Sequence, residues 1–129
     1  MVKEAYCSFE VSKLLKEKGF DEPCWIKYDN EGYLTFNHVG YINSEKPCDD
    51  FCALAPTHQM AMGWLREVYS IHIEIYVIKN YDKKVCEYTY TIMDLNFPGS
   101  DDGIDCCNKY KTYEEACEAA IKYCLEKLI

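Results

Sequence analysis

Between Ser8 and Gly19 the apolar residues Val11, Leu14 and Leu15 recur at i, i+3 and i+4 with Lys13, Lys16, Glu17 and Lys18 outside them, which predicts an amphipathic helix capped by Ser8. Gly19 ends it: a left-handed glycine there lets Phe20 fold back on Leu15, and Pro23 forbids continuation. The run from Cys24 to Asp29, then Asn30-Glu31-Gly32, then Tyr33 to Phe36 reads as a hairpin with Ile26 and Tyr28 facing Leu34 and Phe36. Residues 37–56 are too long a stretch to be structureless, so a short extended piece near 39–42 and a helical turn near 50–54 are expected.

Thr57, after Pro56, caps a second helix with the buried stripe Ala61, Trp64, Leu65 and Val68. The period then changes to two. Ile71, Ile73, Ile75 and Val77 alternate with His72, Glu74 and Tyr76, and after a turn near 80–83 a partner strand runs from Val85 to Met93. Residues 96–111 read as a polar surface loop. A last helix opens on a capping box, Thr112 with Glu115, and buries Tyr113, Ala116, Cys117, Ala120, Ile121, Cys124 and Leu128. The order helix, hairpin, helix, hairpin, helix predicts a single α+β domain over 1–129. It would have two layers, a four-stranded, mostly antiparallel sheet with the helices on one face.

Length agrees with one domain, since 129 residues suffice for a core without staples. Charge narrows the partners. Fourteen Lys plus Arg against 22 Asp plus Glu give −8, and Arg66 is the only arginine, so direct nucleic-acid binding is not expected. An acidic nucleic-acid mimic that inhibits a DNA-binding protein remains an alternative, and it would set carboxylates in rows on one face. Charges throughout Met1 to Phe20 leave no signal-peptide core, and no apolar run reaches bilayer length, so a cytoplasmic protein without a membrane partner is expected. Nine cysteines in a reducing compartment then read as free thiols used as small apolar side chains.

Catalytic and metal chemistry find little footing. Cys48, Cys52 and His58 with Cys106 and Cys107 offer soft zinc ligands, but paired knuckles are absent and adjacent cysteines rarely share an ion, so they are weak candidates for a zinc-stabilised module. Cys52 before His58 is the one Cys/His pairing a small enzyme could use, although no hydrolase signature surrounds it. Asp101, Asp102 and Asp105 around Gly103 miss the register of a calcium loop. Phosphate-cradling, dinucleotide, zincin and nucleophile-elbow motifs do not occur, and neither a cofactor nor a catalytic residue is expected.

Tyrosine is the outlying composition. Of 12 tyrosines, Tyr33, Tyr41, Tyr81 and Tyr110 fall in or beside turns, and Tyr76 lies opposite the isoleucine row together with His72. These six residues are the candidate binding surface, because tyrosine supplies rigid contact area with a polar tip.

Three segments also resemble a known family: Lys16-Glu17-Lys18-Gly19-Phe20-Asp21-Glu22-Pro23-Cys24, then Ala55-Pro56-Thr57-His58-Gln59 leading into Trp64-Leu65-Arg66-Glu67, and Thr112-Tyr113-Glu114-Glu115-Ala116. They are similar to small uncharacterised proteins of gut Bacteroidetes genomes, often carried by prophages and other mobile elements. The resemblance spans about residues 9–129 and implies no activity, cofactor or catalytic residue; the Cys106-Cys107 pair lies outside its pattern. Together the residues and the resemblance lead to the expectation of a small non-enzymatic protein of a mobile element that binds another protein.

Overall fold

The structure, a computed structural model, describes residues 4–37, 40–44, 51–80, 85–96, 103–105 and 108–129. It is an α+β protein with three α-helices and two small antiparallel sheets. Backbone contacts group the chain into two units, Met1–Ala61 and Met62–Ile129, with the boundary inside the second helix.

In the first unit, α1 (Phe9–Glu17) begins where Ser8 Oγ accepts a hydrogen bond from Val11 N at 3.2 Å. It ends as the sequence implies. Gly19 takes φ +94°, its N–H donates to Lys16 O and the N–H of Phe20 donates to Leu15 O, which closes a Schellman motif and buries Phe20. Strands β1 (Ile26–Tyr28) and β2 (Leu34–Phe36) pair in the expected register, Ile26 with Phe36 and Tyr28 with Leu34. Asp29 Oδ1 organises their turn by accepting from the N–H groups of Glu31 and Tyr33.

The connection that follows differs from expectation. Ala53–Leu54 is a strand, β3, on the far side of β1, not part of a helical turn. A single helical turn is too short to sustain itself, whereas β3 satisfies the second edge of β1: Cys52 N donates to Tyr28 O and Ala55 N to Ile26 O. Within the expected extended piece, Ile42 exchanges both backbone hydrogen bonds with Cys24, while residues 38–39 lie outside the described set.

Helix α2 (His58–Tyr69) runs from the first unit into the second and is capped by Thr57, whose Oγ1 accepts from Met60 N at 3.1 Å. Ala61, Trp64 and Leu65 are buried as the stripe predicts, but Val68 is 56% exposed. In its place Tyr69 turns edge-on to Trp64, with ring centroids 5.2 Å apart. Ser70, at φ +56°, reverses the chain directly into the next strand.

In the second unit β4 (Ile71–Asn80) and β5 (Val85–Asp94) form a ten-residue antiparallel ladder. Ile71, Ile92 and Tyr90 are buried on the face that packs on α3 (Tyr113–Tyr123), and the row fades outward to Val77 at 48% exposure. A third strand, β6 (Ile104–Asp105), adds to β5 inside the stretch read as a loop.

The expected single four-stranded sheet is therefore replaced, among the described residues, by two sheets in the orders β2-β1-β3 and β4-β5-β6. In each, the inner strand takes a short neighbour drawn from a connecting segment on its second edge: β3 beside Lys27 and Tyr28, β6 beside Thr91 and Ile92.

Thr112 caps α3 by accepting from Glu115 N, and Glu115 Oε2 accepts from Lys111 N, so the capping box is present one residue displaced. Ala116, Cys117, Ala120 and Ile121 are buried, and the chain then widens into a π-helical turn, Cys124–Leu128, that buries Cys124 and Leu125. The wider turn brings Leu125 fully inward while Leu128 stays half-buried; Tyr113, in the first turn, is 39% exposed and stands edge-on to Tyr88. No helix of the described residues is long and apolar enough to cross a membrane.

Candidate functional site

Residues far apart in sequence meet in the first unit through short backbone pairings. Residues 5–7 run antiparallel to 56–58, with Cys7 N donating to Pro56 O at 2.9 Å and His58 N to Ala5 O at 3.0 Å. The Cys24–Ile42 pair and the Asn37 N to Trp25 O bond extend the β1 hairpin toward them. Here lies a cleft of about 480 Å³, lined among others by Glu4 and Tyr6, by Trp25, Phe36 and Tyr41, and by Met60 of α2.

The aromatic wall is built and open to solvent. Trp25 stacks on Phe36 with centroids 5.8 Å apart and planes 12° apart, and Tyr41 tilts against Trp25 at 4.6 Å. Their exposures are 39%, 48% and 55%, unusual for rings already gathered into one cluster. Glu4 is the one acidic or basic side chain among the described residues lining the cleft, and its Oε2 accepts from Tyr6 OH at 2.9 Å. That hydrogen bond, aided by partial burial and the carboxylate charge, raises the Tyr6 pKa above the ordinary phenol value and keeps the hydroxyl protonated.

Cys24 also lines the cleft but carries no nucleophile. Burial and then the charge of Glu22 push its thiol up to about 12, and Sγ is engaged with Glu22 O at 3.4 Å and Met60 Sδ at 3.7 Å. Among the described residues the cleft offers apolar and ring surfaces, the Glu4 carboxylate and the hydroxyls of Tyr6 and Thr57.

Of the residues singled out from sequence, Tyr41 is in this cleft. Tyr33 lies in the turn before β2 and is 67% exposed. His72 and Tyr76 project from the face of β4 opposite the isoleucine row, and Tyr76 OH accepts a hydrogen bond from Thr91 Oγ1 at 3.4 Å. Tyr110 is half-buried, exchanges backbone hydrogen bonds with Tyr88 and stacks on Tyr90 at 6.3 Å. Tyr81 lies outside the described residues, as do Cys48, Cys106, Cys107, Asp101 and Asp102. Of the five described candidates, Tyr33 and Tyr41 belong to the first unit and His72, Tyr76 and Tyr110 to the second.

Cys52 is half-buried, and its carbonyl accepts from Lys16 Nζ at 2.7 Å. His58 is buried, and the thiol close to it is Cys7: an imidazole nitrogen and Cys7 Sγ lie within 4.8 Å. Cys7 is fully buried, so substrate has no path to this pair. No spacing rule links positions 7 and 58; the pairing of 5–7 with 56–58 creates the contact. Sequence reasoning also passed over Trp25, Phe36, Glu4, Tyr6 and Met60. The available signal was Trp25 beside a three-residue strand that has too few positions to bury it. Comparison with protein-family models, with curated proteins and with solved structures found no match.

Proposed function

We propose that this chain is a non-catalytic binding module that holds a partner protein in the aromatic cleft of its first unit. The observation that carries the reading is the preassembled, solvent-open trio Trp25, Phe36 and Tyr41 beside a cleft large enough for one or two side chains. Rigid rings already packed together lose little conformational entropy on contact, and large aromatic anchors in a pocket dominate association energies. The neutral Cys24 thiol supports binding over catalysis at this place. A cytoplasmic setting belongs to the same proposal. It rests on the nine cysteines, an odd number that suits thiols used as small apolar side chains in a reducing medium. The mobile-element setting rests on the three segments that resemble that family.

The test is affinity capture from lysate with the native chain and two double variants. Trp25→Ala with Tyr41→Ala should lose the captured protein, whereas His72→Ala with Tyr76→Ala should keep it. Equal recovery by both variants would remove the cleft from the account, and loss only in the second would move the surface to β4.

A further inference from the structure

The geometry points to a cationic side chain on an aliphatic stem, an arginine or lysine of an exposed basic segment in the partner, as the group the cleft accepts. This deepens the proposed binding role and rests on it. Three observations converge. Among the described residues lining the cleft, Glu4 is the one charged side chain, and its charge is negative. The rings of Trp25 and Tyr41 line the same cleft, and aromatic rings attract cations and cover a methylene stem. The chain as a whole carries −8, so its field draws basic partners and repels acidic ones.

The carboxylate retains capacity for such a ligand. Glu4 Oε2 takes the Tyr6 hydroxyl at 2.9 Å, and a carboxylate accepts up to about four hydrogen bonds. Tyr6 also fixes the side chain of Glu4 toward the cleft, which limits the rotamer freedom lost on pairing. A guanidinium suits the site best, since it stacks on rings and bonds a carboxylate with a planar fork. An acidic or phosphorylated segment would meet Glu4 as a like charge.

The experiment is a titration of the full chain with Ac-Leu-Arg-Leu-amide and with its citrulline counterpart, which keeps the shape and removes the charge. Binding is followed by the emission of Trp25, with buried Trp64 as constant background, and by amide shifts in two-dimensional NMR. The arginine peptide should bind at least about fivefold more tightly, an exposed ion pair and a ring contact together supplying that factor, and its shifts should centre on Trp25, Tyr41 and Met60. Glu4→Gln should narrow the difference between the peptides to what the ring contact with the cation supplies, and an undiminished difference would take Glu4 out of the inference. Equal affinity for both peptides in the native chain overturns the cationic inference and leaves the binding cleft standing. No shift at the cleft with either peptide at millimolar concentration overturns both.

Discussion

Cys24, Cys117 and Cys124 show what single residues do here. Burial is the main cause that pushes their thiols to about 12, 11 and 12, so they behave as small apolar side chains. With thiol-specific reagent near neutral pH, exposed Cys86 should react first, half-buried Cys52 next, and these three only on unfolding. Equal rates for all would contradict the burial. A pH dependence follows as well. Unfolded thiols ionise from their ordinary value of 9.0, while the folded ones keep their protons to about 11 or 12, so the unfolded state loses protons first as pH rises. Stability should therefore be unaffected by these groups below pH ~9 and decline between there and ~12, visible as a falling urea midpoint; Cys24→Ala should flatten that decline. Gly32 makes a different kind of residue-level constraint: at φ +87° an added Cβ would sit 2.8 Å from the Phe9 ring. Gly32→Ala should cost about 1–2 kcal/mol in chemical denaturation, and an unchanged midpoint would mean the turn relaxes freely.

At the scale of elements, the features with a local signature were legible. Ser8 and Thr112 cap as read, Gly19 and Phe20 close α1 as read, and the hairpin register of Ile26 with Phe36 matches the expected pairing. Each rests on neighbours within a few positions, so period and capping chemistry encode it. Thr112→Ala should remove about 1 kcal/mol, and Ile121→Ala, in the fully buried stripe of α3, roughly 2–5 kcal/mol; both are read from denaturant midpoints. The short strands β3 and β6 were not legible, because two residues carry no period. Val68 shows a further limit: it fits the α2 stripe by spacing, but the turn at Ser70 gives its place beside Trp64 to Tyr69.

For the whole molecule the charge of −8 is the property that acts at a distance. On α1 Lys13 and Lys16 fall between Glu10 and Glu17, so carboxylates there do not form a row. A basic partner should be captured several-fold less well when salt rises from about 0.05 to 0.5 M, since the Debye length shrinks below the span of the exposed charges. Salt-independent capture would assign the recognition to the rings alone. The cleft itself was half legible: Tyr41 was singled out for its turn position, but Trp25, Phe36 and Glu4 were not, because their proximity depends on the pairings 5–7 with 56–58 and Cys24 with Ile42.

What the sequence alone determined is whatever a window of a dozen residues can encode: three amphipathic helices, their caps and stops, the two hairpins, and thiols and charges that assign no reaction. Tertiary structure decided which short segments pair on the second edges of β1 and β5, and that the hairpins head separate sheets. It also decided that Cys7 stands near His58, and that rings from three segments line one cleft with Glu4. The physical reason is common to all three. Backbone groups left open by one element must find partners somewhere in the chain, and local periodicity does not say where.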